Sequence, residues 1–106
     1  MSLLLVRNAA AVPDPPLQPV AAVVTLSSSS LRITATGDAP AGWLSWEIEE
    51  STTGTGSWSN ISTGPATFDK TGLVSGVTRY YRVRGTTNAG QVSAYSAVAD
   101  GTTGTA

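Results

Sequence analysis

The alternation of apolar and polar residues along this chain is typical of β-strands. In Leu31–Thr36 (LRITAT) every second residue is apolar, and the same alternation recurs around Trp46 and Ile48. A period of two places successive side chains on opposite faces of a strand, so Trp46 and Ile48 are predicted to point inward and Glu47 and Glu49 outward. Long windows with helical spacing are missing. The pattern therefore predicts an all-β protein.

Turn residues divide the chain into seven such runs. Strands are predicted at Val20–Thr25, Leu31–Thr36, Leu44–Glu49, Trp58–Ser62, Ala66–Thr71, Val77–Thr87 and Gln91–Ala99. Seven short strands separated by Ser, Gly, Pro and Asn are characteristic of two packed antiparallel sheets. Because 106 residues suffice for one domain with its own core, we expect a single seven-stranded antiparallel two-sheet sandwich.

Residues 1–16 differ in kind from the predicted strands. Their prolines impose extended geometry and block strand pairing. We predict an extended N-terminal arm over residues 1–16, the sandwich over 17–103 and a tail over 104–106. The arm holds the short apolar run Leu3-Leu4-Leu5-Val6, followed by Arg7. No basic residue precedes this run, and it is far shorter than a membrane span, so neither a classical export signal nor a membrane crossing is expected.

The balance of charge argues against a nucleic-acid ligand. Six basic and seven acidic residues give a formal net charge of −1, whereas phosphate binding usually needs a clear basic excess. Arg82 and Arg84 are predicted to lie on the outer face of their strand. If that strand neighbours the one carrying Glu47 and Glu49, the two pairs face each other and no basic patch remains.

Residue types that commonly carry chemistry are absent or unpatterned. The chain has no cysteine and no histidine, which excludes disulfides, thiolate or imidazole metal ligands and a histidine base. It contains neither the Gly-x-Ser-x-Gly turn of a serine hydrolase nor a phosphate-binding Gly-rich loop. We predict a protein without catalytic residues, metal or cofactor.

The chain from residue 17 to 103 resembles a fibronectin type III domain. The residues that carry the resemblance are Trp46-Glu47-Ile48-Glu49, Thr71-Gly72-Leu73, Gly76, Thr78–Arg84, Asn88-Ala89-Gly90 and Ser93-Ala94-Tyr95-Ser96. The tryptophan that the family usually has on its second strand is replaced here by Ala35, so Trp43 or Trp46 is expected to fill the core. The resemblance also implies a tyrosine corner, for which Tyr80 is the candidate, with its hydroxyl bonded to the backbone of the Val74–Val77 turn.

Two interpretations of Trp43 and Trp58 remain open from the sequence. They are the most plausible exposed aromatic residues and could stack on sugar rings, giving weak glycan contact. They could equally fill the space left by Ala35 or cover a sheet edge.

The resemblance implies a non-enzymatic structural or adhesive role, and three hypotheses about the function follow from it. In the first, Leu3, Leu4, Leu5, Val6 and Arg7 dock the domain on a protein partner, either a capsid or tail subunit of a bacteriophage virion or a second copy of the chain. In the second, the domain is an extracellular carbohydrate-binding or spacer module of a polysaccharide-degrading enzyme. In the third, it is an engineered binder with functional loops at 37–42 and 85–90.

Overall fold

Two antiparallel sheets pack face to face in the computed structural model, which describes residues 14–105. In the order of the sheet, the three-stranded sheet consists of β1 (Val20–Thr25), β2 (Leu31–Thr36) and β5 (Thr67–Lys70). The four-stranded sheet consists of β4 (Ser59–Gly64), β3 (Trp43–Ser51), β6 (Thr78–Thr87) and β7 (Ala99–Thr102). The predicted seven-stranded sandwich is confirmed. The predicted docking residues Leu3, Leu4, Leu5, Val6 and Arg7 lie outside the described residues, so the domain boundaries stay a prediction.

The core lies between the two sheets and follows the alternation of β2, β3 and β6. Every second residue of β2 is buried, as are the inward-facing residues of the two central strands of the other sheet. The buried apolar side chains are Leu31, Ile33, Ala35, Trp46, Ile48, Tyr81 and Val83. The inward orientation predicted for Trp46 and Ile48 is therefore confirmed.

Two tryptophans fill the core beside the small residue Ala35. Trp46 is buried, and the half-buried Trp43 packs against it with ring centroids 4.3 Å apart. Gly85 on β6 makes room for this pair, because a Cβ there would lie 2.5 Å from the Trp43 ring. Both of the tryptophans proposed to fill the core therefore do so.

The seventh strand lies later in the chain than predicted. Residues 91–98 run beside β6 with a single isolated bridge between Val92 and Thr86, and the strand itself is Ala99–Thr102. The reason is the spacing of Ser93 and Ser96. These two serines face β6 three residues apart, which a strand with a period of two cannot provide.

Serine hydroxyls replace part of the strand pairing along this segment. The Ser93 amide donates to the Gly85 carbonyl (2.8 Å), while the Gly85 amide donates to the Ser93 hydroxyl (2.9 Å). Ser96 makes the same exchange with Val83, at 2.8 Å and 3.0 Å. The Val83 and Gly85 amides thus have partners although no regular strand lies beside this part of β6.

The tyrosine corner expected at Tyr80 is not formed, and a threonine takes its place. The Tyr80 ring lies against Gly54, in the turn that follows β3. Thr103 instead ties that turn: its hydroxyl donates to the Val74 carbonyl (2.7 Å) and accepts the Val77 amide (2.9 Å). Thr103 is buried, so this end of the chain belongs to the fold.

Candidate functional site

The outer face of the four-stranded sheet carries a cluster of charged and aromatic side chains. We call it the outer ladder: Glu47 and Glu49 on β3, Arg82 and Arg84 on β6, Trp58 before β4 and Tyr95 in the 91–98 segment. The antiparallel register places Glu49 opposite Arg82 and Glu47 opposite Arg84. The Arg82 Nε lies 2.8 Å from Glu49 Oε1, and the Arg84 Nε lies 2.9 Å from Glu47 Oε1. The predicted pairing is confirmed.

Aromatic rings cover the two arginines of the outer ladder. The Arg82 guanidinium carbon lies 4.5 Å from the Trp58 ring centroid and 3.8 Å from that of Tyr95. Arg84 lies 4.7 Å from the same Tyr95 ring. The Tyr95 hydroxyl donates to Glu49 Oε2 at 3.1 Å, so one tyrosine connects both arginines to a carboxylate. With Glu49 only 14% exposed and Arg82 26%, the ladder offers no uncompensated charge to a phosphate.

The ionisable groups with shifted pKa values in this sheet are held in their ordinary forms. Burial, helped by the hydrogen bond to Glu49, raises the pKa of Tyr95. Burial also raises the pKa of Tyr81, whose hydroxyl donates to Glu50 Oε2 at 2.8 Å. The hydrogen bond to Glu47 raises the pKa of Arg84. Each shift favours the form already present at neutral pH, which is the arrangement of a structural network and not of a poised acid or base.

Trp43 and Trp58, the candidate surface aromatics, are both half-buried but differ in their contacts. The Trp43 indole nitrogen donates to the Gly37 carbonyl at 2.9 Å, and its ring packs on Trp46. Trp58 instead lies against Arg82 on the outer face. Packing thus accounts for Trp43, whereas the partly exposed ring of Trp58 remains a candidate for binding a ligand.

The two loops at one end of the sandwich are tied together. The Asn88 amide donates to the Gly42 carbonyl (3.0 Å) and its side-chain nitrogen to the Ala41 carbonyl (3.1 Å). The Thr87 hydroxyl accepts the amides of Ala89 and Gln91. Loops 37–42 and 88–91 therefore form one hydrogen-bonded unit and not two independent recognition loops.

An apolar margin runs along β1, which sequence reasoning did not identify as a candidate site. Of the eight large apolar residues exposed within residues 14–105, five belong to it: Leu17, Val20, Val24, Leu26 and Val98. We call these five residues the β1 margin. A groove of about 210 Å³ lies between the first residues of β1 and residues 97–99. The available signal was the β1 sequence VAAVVT, which is apolar on both faces although the strand lies at the edge of its sheet.

Two kinds of site are absent from the part of the chain that the structure describes. Within residues 14–105, acidic side chains are nowhere gathered in a group of three that could hold a metal ion. The same residues include no helix long and apolar enough to cross a membrane.

Comparison with known proteins gives structural similarity without a match in sequence. No protein-family model matches the chain, and no curated protein does. Among solved structures, the fourth fibronectin type III domain of a human protein is similar with a TM-score of 0.73 and 24% identity, covering 90% of this chain and 84% of that one. A fibronectin type III-like protein from Clostridium thermocellum gives a TM-score of 0.64 and 28% identity, covering 86% and 93%.

A larger protein also contains a similar domain. The β-1,2-glucanase of Parabacteroides distasonis is similar over 88% of this chain and 13% of its own length, with a TM-score of 0.69 and 16% identity. The seven strands in two antiparallel sheets and the similar solved structures indicate the same fold. The protein has the fibronectin type III fold.

Proposed function

We propose that this protein is a non-enzymatic structural module that docks on a larger protein assembly, the capsid or tail of a bacteriophage virion, through Leu3, Leu4, Leu5, Val6 and Arg7. The fold is a general one and does not by itself set a function. What supports docking is the distribution of apolar surface: the β1 margin lies next to the point where the described chain begins. The four apolar side chains of the arm would add to that surface, and exposed patches of this kind mark interaction sites.

The outer ladder supports a role without catalysis. Its arginines are paired with carboxylates and covered by rings, so they stabilise the sheet and leave little charge for a substrate. The two loops at the end of the sandwich are bonded to each other through Asn88. The domain is thus built as a rigid body, which suits a component that is positioned by an arm.

The docking role is tested by introducing negative charges into the apolar run of the arm. Leu4→Asp with Leu5→Asp places two carboxylates in the apolar run, and the matched control is Leu44→Asp, an exposed leucine on β3. Tagged versions are expressed in the native source, and virus particles are purified and analysed by mass spectrometry. The parent and the control should copurify with capsid or tail proteins, and the arm variant should not. Equal copurification of the arm variant would reject docking through the arm.

A second candidate is an extracellular carbohydrate-binding or spacer module, favoured by the partly exposed Trp58 ring beside Arg82 and Tyr95. Aromatic faces stack on sugar rings, and the similar glucanase domain suggests β-1,2-glucan oligosaccharides as the probe. Saturable quenching of tryptophan fluorescence that disappears in Trp58→Ala and persists in Trp43→Phe would support it. No change in fluorescence up to millimolar oligosaccharide would reject it.

A further inference from the structure

We propose that the open side of β1 accepts the apolar segment Leu3–Val6 of a second copy of this chain as an added strand. The proposal rests on the proposed function in one respect, namely that this segment docks on protein. It goes further in naming the acceptor surface, which lies on the same chain.

The edge of β1 has unpaired backbone groups facing away from its sheet. β1 is the end strand of the three-stranded sheet and pairs only with β2 within the described residues. The Leu26 amide donates to the Ser30 carbonyl. The N–H and C=O groups of the even-numbered residues of β1 therefore point toward β2. Because these directions alternate in an antiparallel pair, the peptide groups of Ala21 and Val23 point to the open side. Such an edge is a template for another strand.

The groove beside that edge is apolar. It is lined by Gln18, Pro19, Val20, Ala21, Ala97, Val98 and Ala99, none of which is charged. Val20 is 61% exposed and Val98 47%, so both retain apolar surface that an inserted side chain would cover. On the far side of Val23 the edge is already closed, since Gly101 of β7 approaches Val23 so closely that a Cβ there would clash. The accessible part of the edge therefore matches a segment of about four residues, or roughly 13 Å of strand.

The course of the chain before β1 favours a second copy over the same molecule. The Leu17 amide donates to the Asp38 carbonyl, and Asp14 and Pro15 lie against the loop at 38–40. The chain therefore approaches β1 from the loop end of the sandwich. To pair with its own β1 it would have to reverse through Pro13, Pro15 and Pro16, whose fixed φ and missing amides oppose a tight hairpin. Residues 7–13 span at most about 25 Å when extended, enough to reach a neighbouring molecule.

The test mixes two defective variants of the full chain. The arm variant, Leu4→Asp with Leu5→Asp, keeps an intact groove, and the groove variant, Val20→Asp with Val98→Asp, keeps an intact arm. Sedimentation velocity is run from micromolar to millimolar protein, because a short added strand gives a small interface. The parent should self-associate, and each variant alone should sediment as a monomer. Their mixture should form a 1:1 complex, since one intact arm then meets one intact groove.

Controls keep the result interpretable. Val92→Asp charges an equally exposed valine outside the groove and should associate like the parent, and circular dichroism checks that all variants are folded. A parent that is monomeric throughout, a groove variant that associates alone, or a mixture that stays monomeric would each overturn the proposal. If the parent is monomeric yet still joins virus particles in an arm-dependent way, only this inference fails and the proposed docking role stands.

Discussion

The two outer faces of the sandwich differ in the kind of side chains that they carry. The four-stranded sheet carries the outer ladder, in which every arginine has both a carboxylate and a ring. The three-stranded sheet presents mainly small uncharged side chains: Val20, Ala22 and Val24 on β1, with Thr34 and Thr36 on β2. Its ion pair, Arg32 with Asp69, is exposed on both sides.

The contrast shows that the most charged face of this protein is the one whose charges are already paired. The arginines, glutamates and aromatic rings of the outer ladder contact one another, so the ladder has little unpaired charge for a charged ligand. The outer face of the three-stranded sheet has few side chains that could form ion pairs or hydrogen bonds with each other. Its edge strand, β1, pairs on one side only within the described residues.

The largest effect on this contrast is expected from removing the Ser96 hydroxyl. In Ser96→Ala the buried Val83 amide loses its acceptor, which should cost about 1–3 kcal/mol of unfolding free energy and loosen the segment that holds Tyr95 over the ladder. Urea unfolding followed by tryptophan fluorescence measures the loss. Ser59→Ala, at an exposed serine on β4, should leave the midpoint unchanged. Equal midpoints for Ser96→Ala and the parent would show that the hydroxyl does not hold this segment.

A matched pair of arginine substitutions compares the two faces directly. Arg82→Met should lower the unfolding free energy by about 1–2 kcal/mol, because it removes the guanidinium from between Trp58 and Tyr95 and leaves the nearly buried Glu49 without its cation. Arg32→Met on the three-stranded sheet should change the midpoint little, since that pair is solvated. Similar losses in the two variants would contradict the difference drawn between the faces.

Unfolding at alkaline pH tests the contribution of Tyr81, which lies on the inner face of the four-stranded sheet. Because the pKa of Tyr81 is raised in the folded protein, the tyrosine ionises first in the unfolded chain. Its contribution is complete below about pH 10, the ordinary tyrosine pKa, and declines as pH rises, by up to about 1.4 kcal/mol per pH unit. In Tyr81→Phe the stability should fall less steeply than in the parent as the pH rises above about 10. Parallel slopes for Tyr81→Phe and the parent would reject this role.

The smallest expected effect is on the acid side of the three-stranded sheet. The hydrogen bond from Arg32 lowers the pKa of Asp69, so its contribution is present above the ordinary aspartate pKa and is lost as pH falls through the lowered value. Asp69→Asn should therefore flatten the acid limb of a thermal-stability profile only slightly, because both partners are exposed. A large flattening would mean that this pair is as important as the ladder.

Regular alternation made much of the fold predictable. The bounds of β1 and β2 coincide with the prediction because turn residues flank both strands. The pairing of Arg82 and Arg84 with Glu49 and Glu47 followed from the same period of two. Local pattern was sufficient wherever a strand has one inner and one outer face.

The failures occur where side chains replace backbone pairing. Gln91–Ala99 looked like a strand, but its serines bond to β6 at a spacing of three residues, and the true strand begins at Ala99. The Thr103 contact with the Val74–Val77 turn joins residues more than 25 apart and has no local signature. The open edge of β1 depends on which strands become neighbours, and the sequence carried only a weak signal for it, the apolar residues on both faces of VAAVVT.

The hydrogen bonds at the two ends of the sandwich also determine how the domain would carry a pulling force. The chain enters beside Asp38, where Leu17 is bonded, and Gly104 is bonded to Ser27 at the opposite end. The two attachment points are thus separated by at least the length of β1, roughly 20 Å. Tension between them loads the six residue pairs of β1 and β2 along the strand direction, so their hydrogen bonds resist together in shear and do not open one by one. Under tension the domain would behave as a stiff spacer.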